Sequence, residues 1–151
     1  MKKFKFSLEK VLEVKEIEEK VIQKNLLLVQ NQIYEIERKI VEIAEKISIE
    51  RKNVSEVSST VTKSTDIMLH YRYIESLSRE TEICKDSLVG LRLKENEYRL
   101  QLIEKSREKK ALEKLKEIKY EEFRKEYNKE QQLFIDDISI QNHRFKQGLL
   151  R

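Results

Sequence analysis

The apolar residues in the first half of the chain fall on one register. Steps of four and three from Ile22 pass through Leu26, Val29, Ile33, Ile36, Ile40, Ile43, Ile47, Glu50, Val54, Val57 and Val61, and eleven of these twelve positions are apolar. The residues between them are mostly Glu, Lys, Gln, Asn and Ser. A mean step of 3.5 residues keeps a narrow stripe against a partner helix as the two supercoil. The segment therefore predicts a long coiled-coil helix. Upstream, Leu8, Val11, Val14, Ile17 and Val21 carry an apolar face with shorter steps, which predicts a shift of phase near Ile22. Ser7 is placed to cap the helix start, and Glu9 suits its first turn.

The stripe ends at the chain's only cluster of hydroxyl residues, Ser58-Ser59-Thr60-Val61-Thr62-Lys63-Ser64-Thr65-Asp66. Ser and Thr compete for local backbone hydrogen bonds and lower helix propensity. The main reversal is predicted at about residues 60–66, with Ser64 or Thr65 capping the second helix. A second, noisier register runs through Ile74, Leu77, Thr81, Cys84, Leu88, Leu91, Glu95, Tyr98 and Leu102. Beyond it the apolar face drifts through Leu112, Leu115, Ile118, Phe123, Tyr127, Phe134, Ile138 and Phe145, and this predicts phase changes at about 105–110 and 116–123. The expected architecture is all-α: a long antiparallel two-helix coiled coil. It forms a single domain over 1–151, with a helix at about 5–59, a connection at 60–66, and a helix or broken helices at about 67–147. Gly90 is an expected soft point in the second helix. The halves differ in length. Either about 24 residues overhang the hairpin, or residues 67–90 fold back to level the ends. A register setting Glu50 against Glu95 is disfavoured, because two desolvated carboxylates repel.

Composition narrows the function classes. Charged residues make up 40% of the 151, with two Gly and no Pro, so the chain cannot supply the turns of a fold built from many short elements. Gly90 and Gly148 lie 58 residues apart, so neither can build a phosphate-cradling loop. Cys84, His70 and His143 fall short of the four ligands of a structural zinc site, and no cofactor or metal is expected. Cys84 reads as a small seam hydrophobe, and His70 and His143 as surface residues. Catalysis is the least supported class. One cysteine, no signal-like segment and no membrane span suggest a cytoplasmic protein without membrane insertion. The net charge of +4 comes from 32 basic and 28 acidic residues, a balance that solvates helices and does not by itself point to nucleic acid. Two regions depart from it. Residues 105–129 hold ten Lys/Arg against six Glu, and 141–151 hold three Lys/Arg and no acid.

The opening Phe4-Lys5-Phe6-Ser7-Leu8-Glu9-Lys10-Val11-Leu12-Glu13-Val14-Lys15 resembles that of the FliJ family, coiled-coil proteins of the bacterial flagellar type III export apparatus. Arg107–Glu117 and Glu130–Ile138, the latter with Asp136-Asp137, resemble two further segments of that family, so the likeness runs end to end. It implies a non-enzymatic stalk, similar in shape to the central stalk of rotary ATPases. Such a stalk binds the hexameric export ATPase, promotes ring assembly, links the ring to the membrane export gate and escorts export chaperones. It implies a cytoplasmic site at the face of the flagellar basal body, and roles in motility and chemotaxis. Under this resemblance the ATPase-binding residues are Lys2, Lys3, Phe4, Lys5, Phe6, Arg144 and Lys146, joined at a basic terminal end by Lys10, His143 and Arg151. Tyr73 and Leu77 match the spacing of the gate contact, although Glu80 and Cys84 on the same face depart from the family pattern. The competing readings are a stalk subunit of a virulence secretion system or rotary ATPase, and a coiled-coil nucleic-acid binder using 105–129.

Overall fold

The structure is a computed structural model, and it describes residues 3–59 and 64–148, the side chains of 145–148 excepted. It is all-α. Helix α1 spans Glu9–Ser58 and helix α2 spans Ser64–Gly148, 50 and 85 residues long. There is no strand among the described residues. Residues 3–6 have no regular secondary structure, and the turn at Ser7-Leu8 closes with the Glu9 N–H donating to the Phe6 carbonyl at 3.2 Å. The helix thus begins four residues later than the pattern suggested, because Phe4 and Phe6 leave the helical path to dock on α2. At the other end the hydroxyl cluster terminates α1 as predicted. Ser58 Oγ donates to the Val54 carbonyl at 2.7 Å and Ser59 Oγ to that of Glu56 at 2.6 Å, the local side-chain-to-backbone bonds by which serine competes with the helical ladder. The first part of the predicted connection, 60–63, lies outside the described residues, and the rest, 64–66, is already helical in α2, which begins three residues earlier than expected.

The chain divides into two compact units: Glu19–Glu104, and Met1–Glu18 with Lys105–Arg151. In the first, α1 and α2 run antiparallel, as the pairings Glu50–His70, Glu37–Arg92 and Gln30–Glu95 require. Each described position of both predicted registers is buried or half-buried. The centre of this core is Ile43 with Leu77 and Cys84, packed on by Ile36, Ile40 and Ile47. The two acidic seam residues are kept apart: Glu50 meets His70 at 2.7 Å, while Glu95 accepts from Gln30 at 3.1 Å and Arg99 at 2.6 Å. Residues 67–90 do not fold back, since α2 is continuous from Ser64.

The predicted shifts of phase near Ile22 and at 105–110 do not occur. On α1 the inward positions are Leu8, Leu12, Lys15 and, going into the other unit, Glu19 and Ile22, spaced by four and three throughout. Val11, Val14, Ile17 and Val21 are exposed. On α2 the register continues from Leu102 through Lys105, Lys109, Leu112 and Lys116, while Leu115 and Ile118 stay outside; the next step, Lys119, is exposed, and Phe123 is the following half-buried position. Rotating the helix to bury those apolar residues would need a stutter in the hydrogen-bonded ladder. Instead the register is kept and charged side chains fill it. Lysine can do this by laying its methylenes along the seam while its ammonium reaches a carboxylate.

Candidate docking sites

In the unit Met1–Glu18 with Lys105–Arg151, charged side chains occupy several of the seam positions. Lys15 Nζ lies 2.7 Å from Glu108 and 3.3 Å from Glu18, and Lys105 Nζ lies 3.1 Å from Glu18 and 3.5 Å from Glu108. The two ammonium groups and two carboxylates form an alternating square. About two turns further along, Lys116 donates to Glu9 at 2.7 Å. Hydrogen bonds from Lys105 and then Lys15 hold the Glu18 carboxyl below its ordinary range, and the bond from Lys15 does the same for Glu108. The bond to Glu108 and then that to Glu18 raise the Lys15 ammonium.

Further along α2, an aromatic clamp holds the segment that carries Phe4. Phe4 sits edge-on to Tyr120 with ring centroids 5.3 Å apart and tilted against Phe123 at 5.7 Å, and Phe123 stacks on Tyr127 at 6.2 Å. Such pairs contribute about 0.5–1.5 kcal/mol each beyond their area. Phe6 is buried beneath. Lys3 and Lys5 are exposed and line a groove of about 430 Å³ with Lys119, Glu122 and Glu126. This end of the unit therefore has mixed charge. Arg144 is exposed but lies 21 residues beyond Phe123 on α2, roughly 30 Å along the helix. The structure thus does not bring Arg144 together with Lys3 and Lys5, and the expected joint basic end separates into two places. Lys2, Arg151 and the side chain of Lys146 lie outside the described residues. Residues 128–144 are exposed throughout, including Phe134, Ile135 and Ile138, and this is the overhang that the unequal halves predicted.

In the other unit, Tyr73 is 46% exposed but Leu77 only 5%. Leu77 belongs to the core with Ile43, so of the expected gate pair only Tyr73 is presented at the surface. Glu80 is paired across the helices with Lys39 at 2.7 Å, and that bond lowers its carboxyl while raising the Lys39 ammonium. Cys84 is a buried free thiol, consistent with a packing role. No cluster of side chains among the described residues could hold a metal ion.

A match by the family described as Flagellar FliJ protein covers residues 4–148. It includes the clamped Phe4-x-Phe6 opening, both helices and the overhang. The chain belongs to the FliJ family. No curated protein and no solved structure matches it. Membership makes this a flagellar, export-related protein of a non-catalytic family. No described helix of this FliJ-family chain is long and apolar enough to cross a membrane. The sequence pattern did not single out Glu18, Glu108, Lys15 and Lys105. The signal for them was available: a lysine at a seam position on each helix, Lys15 and Lys105, each followed three residues later by a glutamate, Glu18 and Glu108.

Proposed function

We propose that this protein is the coiled-coil stalk of the flagellar export machine, binding the export ATPase ring, promoting its assembly and linking it to the membrane export gate. The observation that carries this reading is the overhang. Residues 128–144 of α2 have no covering helix, yet they present Phe134, Ile135 and Ile138 ahead of the basic Arg144. Exposed apolar side chains on a solvated helix mark an interaction surface, and a basic tip suits an acidic ring through long-range steering. Lys3 and Lys5, carried on the aromatic clamp, form a second contact lower on the same unit. At the gate, Tyr73 is the contact and Leu77 supports it from beneath. Escort of export chaperones and a place at the cytoplasmic face of the basal body complete the reading.

The test is a pulldown of the export ATPase scored by turnover and ring formation. Wild type binds and stimulates; Phe134→Ala/Ile138→Ala and Arg144→Glu lose both, and Lys3→Glu/Lys5→Glu weakens both. Tyr73→Ala keeps ATPase stimulation but loses the gate protein and, in cells, swimming and chemotaxis. A wild-type chain without effect on binding, assembly or turnover would remove the stalk mechanism and leave a generic coiled-coil adaptor.

A further inference from the structure

Helix α2 carries a second heptad stripe that its own hairpin leaves uncovered. Val89, Leu93, Asn96, Leu100 and Ile103 are spaced by four, three, four and three residues. This is the spacing of a coiled-coil seam. It points away from the seam packed on α1: the four apolar members are 49–68% exposed, and Asn96 is exposed as well. Charged residues bound the stripe, with Asp86 one register step before it and Arg107 one step after. A solvated helix face has no reason to keep apolar residues at every heptad step but one.

We propose that this stripe pairs with the same stripe of a second copy of the chain, as a parallel, in-register coiled coil. The residues flanking the stripe decide the occupant and its direction. On one side stand Arg92 and Arg99, on the other Glu97 and Glu104, all exposed. In a parallel pair, each residue on the first flank meets the residue five positions later on the partner's second flank. That places Arg92 against Glu97 and Arg99 against Glu104 of the second copy, and the reverse by symmetry. An antiparallel pair would set arginine against arginine and glutamate against glutamate. The surface is therefore complementary to itself in one orientation. Asn96 agrees: in register, the two carboxamides face each other and exchange donor and acceptor, whereas a slipped register buries each against leucine without a partner. Arg92 and Arg99 already touch Glu37 and Glu95 within the chain, at 3.0 and 2.6 Å. A guanidinium has five N–H donors and can bridge two carboxylates.

Two heptads would be too short to fold a coiled coil from separate strands, but α2 is already helical against α1, so pairing does not have to form the helix. The expected product is a weak, reversible dimer. Sedimentation equilibrium of the full chain, from low micromolar to near-millimolar, should move from 18.3 kDa toward twice that mass. Leu93→Glu/Leu100→Glu should stay monomeric at every concentration while melting like wild type when dilute, since both side chains are exposed. Glu97→Arg/Glu104→Arg should also lose self-association and regain it when mixed with Arg92→Glu/Arg99→Glu. Ile103→Cys, in a Cys84→Ala background, should oxidise to a covalent dimer. Wild type at 18.3 kDa throughout would overturn the proposal, as would a dimer indifferent to the Leu93/Leu100 pair. A dimer without the Ile103→Cys cross-link would overturn the parallel arrangement.

Discussion

Gly90 sits inside an unbroken helix, with no positive backbone angle and nothing within 4 Å of where a Cβ would stand. The soft point read from the sequence is therefore an energetic cost without a bend. Gly90→Ala should stabilise the chain by about 0.5–1 kcal/mol, because the glycine loses more backbone freedom on folding than alanine does. Thermal melting at low concentration measures this. Ile43 is the opposite case, the most buried core residue at 2% exposure, enclosed by Leu77, Cys84 and three isoleucines of its own helix. Ile43→Ala should cost about 2–5 kcal/mol, as a loss of transfer energy plus a residual cavity, read from the urea midpoint at an unchanged slope. At Phe4 the stake is local. Phe4→Ala removes the ring that packs on Tyr120 and Phe123, and exchange of the Glu9 amide, which donates to the Phe6 carbonyl, should rise while the Ile43 region keeps its protection. These sites also show what single residues betray in sequence. Ile43 and Cys84 were legible as seam members from spacing alone. The docking of Phe4 was not, because a segment without regular structure packs by contact with residues more than a hundred positions away and leaves no periodic trace.

Along each helix, the apolar registers from Ile22 to Val57 and from Ile74 to Leu102 were readable because one residue type recurs at one spacing. The ends were misread because following apolar residues is the wrong rule once a long register has fixed the helix face. Val11, Val14 and Ile17 lose to Lys15 and Glu19, since continuity of the helix outweighs the burial of a few valines. The Lys15–Glu18–Lys105–Glu108 square that results has a definite pH dependence. Glu18 and Glu108 titrate below their ordinary 4.5, so their contribution is complete above that value and disappears as pH falls through the depressed values. Lys15 titrates above its ordinary 10.5, so its contribution is complete below 10.5 and is lost only as pH rises through the raised value. Near neutral pH the whole square is in force. The unit containing Lys105–Arg151 should therefore melt at lower temperature as pH drops below 4.5. Glu18→Gln/Glu108→Gln should melt lower than wild type at pH 7 and should show a flatter acid limb. A wild-type acid limb retained in that variant would show that the square is not its source.

At the scale of the molecule, two units share one pair of helices but are held by different physics. The unit Glu19–Glu104 closes over an aliphatic seam of Val29, Ile43, Val54, Leu77 and Leu88. The other relies on lysines at Lys105, Lys109 and Lys116 and on a cluster of aromatic rings. Apolar burial contributes about 25 cal/mol per Å² and is insensitive to dilute salt, whereas ion pairs open to water are screened and contribute little each. Local opening free energies should therefore differ. Native-state hydrogen exchange should find the slowest amides around Ile43, Leu77 and Cys84, and intermediate protection at Leu12 and Leu112. The fastest helical amides should lie in 128–144, where no second helix covers α2. Raising sodium chloride from low salt to about 1 M, where the screening length falls to about 3 Å, should weaken protection more in the charged unit than in the aliphatic one. Uniform protection in both units would refute the distinction. Under the proposed stalk function, the uncovered 128–144 segment opens most readily and would gain most from being bound, because a ligand that binds only the ordered form stabilises it by mass action. Adding the export ATPase should then slow exchange first at 128–144.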